Sequence, residues 1–319
     1  LDNHRLERVN APRMTGSDSV SVKRKWGSRH VEAWWAYVFI LPAFLFLGLF
    51  HLLPAAASAV ISLLDWDGLS TASFAGLNNY RVLLHDEHFL QACFHTFIFA
   101  VFSVPISIAI ATLIAVALNK NIRGRTFYRT MYFVPVVTMS TAVGLIWKWL
   151  FNSDYGPINA VLHGLHLPAP NWLSDPSFIM PSIIIVSVWS SLGHHMIVLL
   201  AGLQGISPSY YEAAEMDGAS RSYTFFRITL PLLSPSLFFV FLTATIQALQ
   251  LFDLVFVMTS GNPALLNTSR SVVYNVYEEG FTLFHMGTAS SQAVILFLAI
   301  LIVTMIQMNW QRRWVHYSG

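Results

Sequence analysis

Between residues 176 and 211 the chain runs for 36 positions without one Asp, Glu, Lys or Arg. Soluble domains carry about 25% charged residues; here the share is 11%, against 55% hydrophobic, over 319 residues. Charge-free apolar runs of roughly 18 residues or more read as membrane spans. Six such runs recur, at about 34–64, 93–118, 130–151, 179–203, 231–258 and 286–310. They imply an all-α, polytopic membrane protein with six transmembrane helices. The first and fifth exceed the roughly 20 residues that cross a bilayer, so each tilts or continues beyond it. Pro42, Pro54, Pro105, Pro135 and Pro235 lie within or near the runs. Membrane helices tolerate proline where neighbours satisfy the freed carbonyls. The basic "KRKWGSR" before the first run and "PAAASA" (54–59) give it the flanks of a signal peptide. The run is longer than the roughly 7–15 residues of a signal core, so it is read as a retained span.

Lysine and arginine orient the spans, because they accumulate in cytoplasmic connections. Segments 1–33, 119–129, 204–230 and 311–319 hold 7, 4, 2 and 2 of them, 15 in all. The three opposite connections hold only Arg81 and Arg270, and Lys148 sits at the outer end of the third span. Both ends and the 204–230 loop are therefore expected in the cytoplasm. Residues 1–33 read as a flexible, polar cytoplasmic tail and 311–319 as a short second one, around a permease domain at 34–310. The net charge of +2 gives no reason for a nucleic-acid partner, and the single Cys93 excludes an internal disulfide framework.

One charged, alanine-rich segment interrupts the apolar pattern: "YYEAAEMDGASRSYTFFRITLP", residues 210–231. Ser209 with Glu212 makes a capping box, and Ser207 with Pro208 at the first helical position is an equally good start. Gly218 suits a left-handed helix end, and "SRSYTFFRI" resumes a helical pattern. Small Ala213, Ala214 and Ala219 let such a helix sink into another protein's groove, with Glu212 and Asp217 offered to Arg or Lys on its wall. An amphipathic helix lying on the membrane surface has the same composition.

The segment resembles, position by position, the EAA loop of ABC-importer permeases, with its Glu-Ala-Ala, Asp-Gly-Ala and Ile-x-Leu-Pro elements. "FAGLNNYRVLLHDEHF" (74–89), "RTMYFVP" (129–135), "IWKWLFNSDYGPIN" (146–159), "LAGLQGI" (200–206) and "ALQLFDLVFVMTSG" (248–261) are similar to the carbohydrate-uptake, maltose-type branch. "SGNPALLNT" stands where that branch has glycines before proline, and His95-Thr96 where it has Asn-Thr; both departures bear on substrate rather than mechanism. The resemblance, over roughly 31–310, implies a type I importer fold in the bacterial plasma membrane. It implies a second, related permease as partner, two copies of a cytoplasmic ATPase gripping the EAA loops, and an extracytoplasmic solute-binding protein. Glu212, Ala213, Ala214, Asp217, Gly218 and Ala219 would then form the ATPase-coupling element. ATP and Mg would be held by the partner ATPases and no cofactor by this chain, which has no G-x-x-x-x-G-K-[ST] loop.

Polar groups within spans are costly and mark pathways or helix contacts. Gln247, Gln250 and Asp253 recur every three residues, roughly on one face of the fifth span. Sugars are held by planar amides and carboxylates with aromatic stacking, so Gln247, Gln250 and Asp253, with Phe252 and Trp189, are candidates to line the pathway. The same amides also join membrane helices. His194 and His195 point to different sides of a helix, which argues against a shared metal and for packing or pathway polarity; no H-E-x-x-H occurs. "HDEHF" (85–89) has metal-type residues that an exposed loop explains as well, and Asn267-Thr268-Ser269 is a sequon without meaning in a bacterium. A self-sufficient channel or secondary transporter for a small polar solute is the alternative. A membrane-embedded hydrolase would need a nucleophile–base pair or metal motif that the spans lack.

Overall fold

A computed structural model of the chain describes residues 26–120 and 123–315. The chain divides into two units, Leu1–Ala55 and Ala56–Gly319. Residues 1–25 of the expected polar tail lie outside the described part, and helix begins at Trp26, before the apolar run itself. α1 (Trp26–Leu47) carries Pro42 and passes into a π turn at Gly48–Leu52, where the Leu53 N–H donates to the Gly48 carbonyl. Pro54 follows at once in α2 (Leu53–Ile61). The wider turn carries the carbonyls of the preceding turn away from its ring.

In the second unit, β1 (Leu64–Asp65) and β2 (Ser73–Phe74) pair antiparallel, Leu64 opposite Phe74. α3 (Asn78–Leu83) closes this segment: Asn79 Nδ2 donates to the carbonyls of Ser62 and Leu64 at 3.0 and 2.8 Å. α4 (Glu87–Asn119) begins at Asp86, whose side chain accepts from the Phe89 N–H at 2.9 Å. Its 33 residues span about 50 Å. α5 (Arg125–Val137) and α6 (Ser140–Leu150) are followed by the short α7 (Pro157–Gly164). α8 (Pro176–Gln204) has proline at its first position and Asp175 as cap. α9 (Pro208–Met216), α10 (Arg221–Thr224), a π turn at Phe225–Thr229 and α11 (Leu230–Leu232) form the connection to α12 (Ser234–Leu249). α13 (Asp253–Thr259), α14 (Pro263–Ser269) and α15 (Val272–Tyr277) lead, through a π turn at Glu278–Thr282, to α16 (Met286–Trp314).

Among the described residues, four helices are each long and apolar enough to cross a membrane: Glu32–Ile61, Glu87–Asn119, Pro176–Gln204 and Met286–Arg312. Two bent pairs, counted as one span each, bring the number to six. The third expected span is thus not straight: α5 and α6 meet at 104°. Thr138 and Met139 are extended there, just after Pro135. The fifth bends by 67° between Arg221–Leu232 and Ser234–Leu249. Pro235 in the first turn of α12 removes an N–H and crowds the carbonyl of Pro231.

α4 and α8 form the spine of this unit. Around one half of the pair pack Phe99, Val104, Val143, Ile183, Val255 and Met258; around the other pack Ala111, Ala115, Met196, Leu199, Leu233 and Val240. Lipid is as apolar as leucine, so helices associate here through close fit and small residues. Gly193 shows the fit: a Cβ there would lie 2.1 Å from the Tyr132 carbonyl oxygen of α5. Gln307 Nε2 of α16 adds a buried bond to Thr245 Oγ1 of α12 at 2.9 Å, an interaction worth about 0.6 kcal/mol on average in membranes.

Candidate functional site

The fifth span does not run through to its end. α12 stops at Leu249, and Gln250 and Phe252 leave the helical region with φ/ψ of −99°/20° and −137°/−61°. Helix resumes at Asp253. Non-helical backbone at membrane depth survives only where protein or a polar cavity covers it. Here Ser271 Oγ donates to the Leu251 carbonyl at 2.6 Å, satisfying one group that the break frees. The break borders a cleft of about 510 Å³ lined by Gln247, Gln250, Phe252 and Asp253 from this strand of chain. Ser187, Ser190, Ser191 and His194 of α8 and Thr138 and Ser140 at the α5–α6 bend line the other walls.

Four of the five expected pathway residues therefore meet in one place, by a route other than the expected one. Gln247, Gln250 and Asp253 do not share a face of one helix; the break gathers them. Trp189 is not among the lining residues. It lies on a different face of α8 from Ser187, Ser190, Ser191 and His194, its ring edge-on to Trp147 at 5.4 Å, and its side chain is exposed. The α8 wall was legible and missed: Ser187, Ser190, Ser191 and His194 recur at offsets of three, four and seven, the period of one helix face. Thr138 and Ser140 had no such signal, since only the 104° bend brings them in.

The two histidines separate as their adjacency requires. His194 lines the cleft, whereas His195 is 2% exposed. His195 lines a smaller cavity of about 70 Å³ with Ser103, Ser107, Ser191 and Gln247. Neither of its ring nitrogens has a hydrogen-bond partner among the described residues. No group of three or more His, Cys, Asp or Glu is placed to hold a metal among the described residues. "HDEHF" is a helix start: Asp86 caps α4, and His85 Nδ1 lies 3.0 Å from the Arg81 carbonyl.

The 204–230 loop is built as two short helical pieces. Ser207 is the N-cap of α9 with Pro208 next; its hydroxyl meets that of Ser209 at 2.8 Å, so the capping box from Ser209 is not made. At the other end Gly218 has φ +73°. The Gly218 N–H donates to the Glu215 carbonyl at 3.0 Å and the Ala219 N–H to the Ala214 carbonyl at 2.9 Å, the two bonds of a Schellman end. Ser220 then caps α10 through the Tyr223 N–H at 3.3 Å. Ala214 is buried, but Glu212, Ala213, Asp217 and Gly218 are exposed. Neither carboxylate forms an ion pair among the described residues. A groove of about 720 Å³ runs along this turn, between Ala213, Asp217 and Gly218 on one side and Tyr223 and Arg227 on the other.

Six apolar spans, a polar cleft opened by a helix break and an exposed two-piece loop define a membrane-embedded permease. The chain belongs to the family of binding-protein-dependent transport system inner membrane components, whose model matches residues 68–317. It is 32% identical over 309 residues to the probable ABC transporter permease protein YesP of Bacillus subtilis (strain 168), covering 96% of this chain and 99% of that one. It is 32% identical over 284 residues to the multiple sugar-binding transport system permease protein MsmF of Streptococcus mutans, with 89% and 97% covered. The sn-glycerol-3-phosphate transport system permease protein UgpA of Agrobacterium fabrum is 31% identical, with 88% and 96% covered. In fold it matches a chain in the crystal structure of a bacterial alginate ABC transporter in complex with alginate pentasaccharide-bound periplasmic protein, with a TM-score of 0.80, 21% identity, and 91% and 98% covered.

Proposed function

We propose that this permease passes a neutral sugar through the cleft at the α12–α13 break, as one half of an ATP-driven importer. The observation that carries the reading is the lining itself. Three amide or carboxyl side chains, four serines and an aromatic ring converge on a volume in the range of small-molecule sites. No Lys or Arg is among them. Amides and hydroxyls suit sugar hydroxyls. Asp253 without a cation beside it disfavours a phosphorylated solute, unlike the substrate in the name of UgpA. MsmF bears a sugar-binding name, which is consistent with a carbohydrate.

In this reading the second half of the pathway comes from a related permease, and a solute-binding protein delivers cargo from outside. Two copies of an ATPase hold ATP and Mg and grip α9, with Glu212 and Asp217 turned to basic residues and Ala213 and Ala219 giving close approach, while Ala214, expected in the same role, is buried against its own chain. Both termini and α9 face the cytoplasm. The loop is joined to both cleft walls. α8 runs from His194 and Ser191 into Gln204, and α12 runs from Ser234 to Gln247. Each is a lever of about 20 Å, so displacing α9 tilts the two walls together.

The test is uptake by the reconstituted four-part complex. Gln250→Leu with Asp253→Asn should lower neutral-sugar uptake about tenfold or more, since each lost hydrogen bond to a buried ligand group is worth about 1 kcal/mol. ATPase activity should persist. Unchanged uptake in the double variant would remove the cleft from the pathway. Competition by a sugar phosphate as strong as by the free sugar would overturn the neutral-substrate assignment.

A further inference from the structure

We propose that the aromatic row Phe252–Phe256–Tyr277–Phe281 is a stacking platform that receives pyranose rings at the mouth of the cleft; the proposal rests on the sugar reading above. Phe252 belongs to both features, since it lines the cleft and starts the row. Its ring stacks on Phe256 at 5.5 Å and lies 5.3 Å from Tyr277. Tyr277 in turn is 5.5 Å from Phe256 and stacks on Phe281 at 5.9 Å. The row is not a sealed core. Phe256 is 43% exposed and Phe281 67%, and Tyr277 is half-buried.

One further observation favours a polar ligand over lipid. The hydroxyls of Tyr277 and of the nearly buried Tyr274, 6.4 Å away, make no hydrogen bond among the described residues and are not closed off by protein, so both are open to a polar partner. A pyranose offers what this arrangement lacks: an apolar C–H face for the rings and hydroxyls at its edge for the phenols. The platform is also fastened to the cleft. The Val272 N–H at the start of α15 donates to Thr96 Oγ1 of α4 at 3.0 Å, and Ser271 holds the Leu251 carbonyl inside the break. Arg270 pairs with Glu278, donates to Asn275 Oδ1 at 2.9 Å and lies 5.8 Å over the Tyr274 ring. Rings mounted in this way hold their spacing while a sugar moves from one to the next.

Such a platform predicts chain-length dependence. A monosaccharide covers one ring and an oligosaccharide several, so removing an outer ring penalises longer substrates more. The experiment uses the complete importer in proteoliposomes with glucose, maltose, maltotriose and raffinose as probes. Phe281→Leu and Tyr277→Leu should raise KM about fivefold for the longest probe transported and less for the shorter ones. ATPase rate should be unchanged, and Phe281→Trp should restore KM. Tyr277→Phe, which keeps the fold, should show a smaller rise than Tyr277→Leu. Equal KM for Phe281→Leu and Tyr277→Phe at every chain length, in an importer that transports these sugars, would overturn the platform while leaving the sugar reading intact. A wild-type importer that moves none of the four, yet moves a non-carbohydrate solute, would overturn both.

Discussion

Valine in place of Gly218 should leave the permease inserted and folded but reduce ATP-driven uptake about tenfold or more. Nothing lies within 4 Å of the position a Cβ would take, so the obstacle is not space. It is the φ of +73°. A left-handed backbone costs an L-residue roughly 1–2 kcal/mol, and a β-branched one more. Relieving that strain means giving up the Ala219-to-Ala214 and Gly218-to-Glu215 bonds that end α9. The last turn then frays, displacing Asp217 and Ala219 and releasing α10. Gly218→Asn is the control, because asparagine occupies this conformation at helix ends and should retain most activity. The readout is the pair of rates, ATP hydrolysis and substrate uptake, in the same vesicles. Full uptake by the valine variant would show that α9 does not carry the coupling.

Gly193→Val acts at the other end of the scale, on the fold itself. The new Cβ would meet the Tyr132 carbonyl oxygen at 2.1 Å and Val136 Cγ2 at 2.8 Å. The first of these is backbone in the middle of α5 and cannot rotate aside. α5 must move away from α8, and overpacking alone typically costs about 1–3 kcal/mol. In water the parted faces would still be driven together; in lipid they are not, because association depends on the fit. The expected outcome is loss of the monodisperse peak in mild detergent. Gly193→Ala should lower the melting temperature by less. A valine variant that stays monodisperse with an unchanged melting temperature would show that α5 and α8 are not held at this distance.

How much of this could be read from the chain alone differed by element. Six spans were legible because apolar runs and charge counts are properties of composition, which bilayer thickness converts directly into helices. Gly218 was legible because the helix end is local, and the residues that close the Schellman bonds lie within six positions of each other. Helix starts were less determined: two serines offered caps for α9, and the fixed φ of Pro208 favours Ser207. The bends at Thr138 and Leu233, and the break at Gln250, were not legible. Proline marks where a helix can bend, but the neighbours that satisfy the freed carbonyls decide whether it does. Ser271, which supports the break, lies 20 residues from Leu251. The place of Trp189 was not legible for a related reason: aromatic chemistry suited a pathway, but its register on α8 turns it away from Ser190 and His194, outside this cleft.

The hydrogen bond from Ser271 to Leu251 has one more consequence. It occupies the carbonyl that an opened helix would otherwise present to a guest, and with it the least changeable recognition element a protein owns. In the proposed reading, recognition then falls mainly to side chains: Gln247, Gln250, Phe252, Asp253 and the serines of α8. Selectivity housed in this way can be rewritten one codon at a time, with the scaffold and the drive mechanism left as they are. A transporter so arranged can acquire a new cargo without learning a new fold.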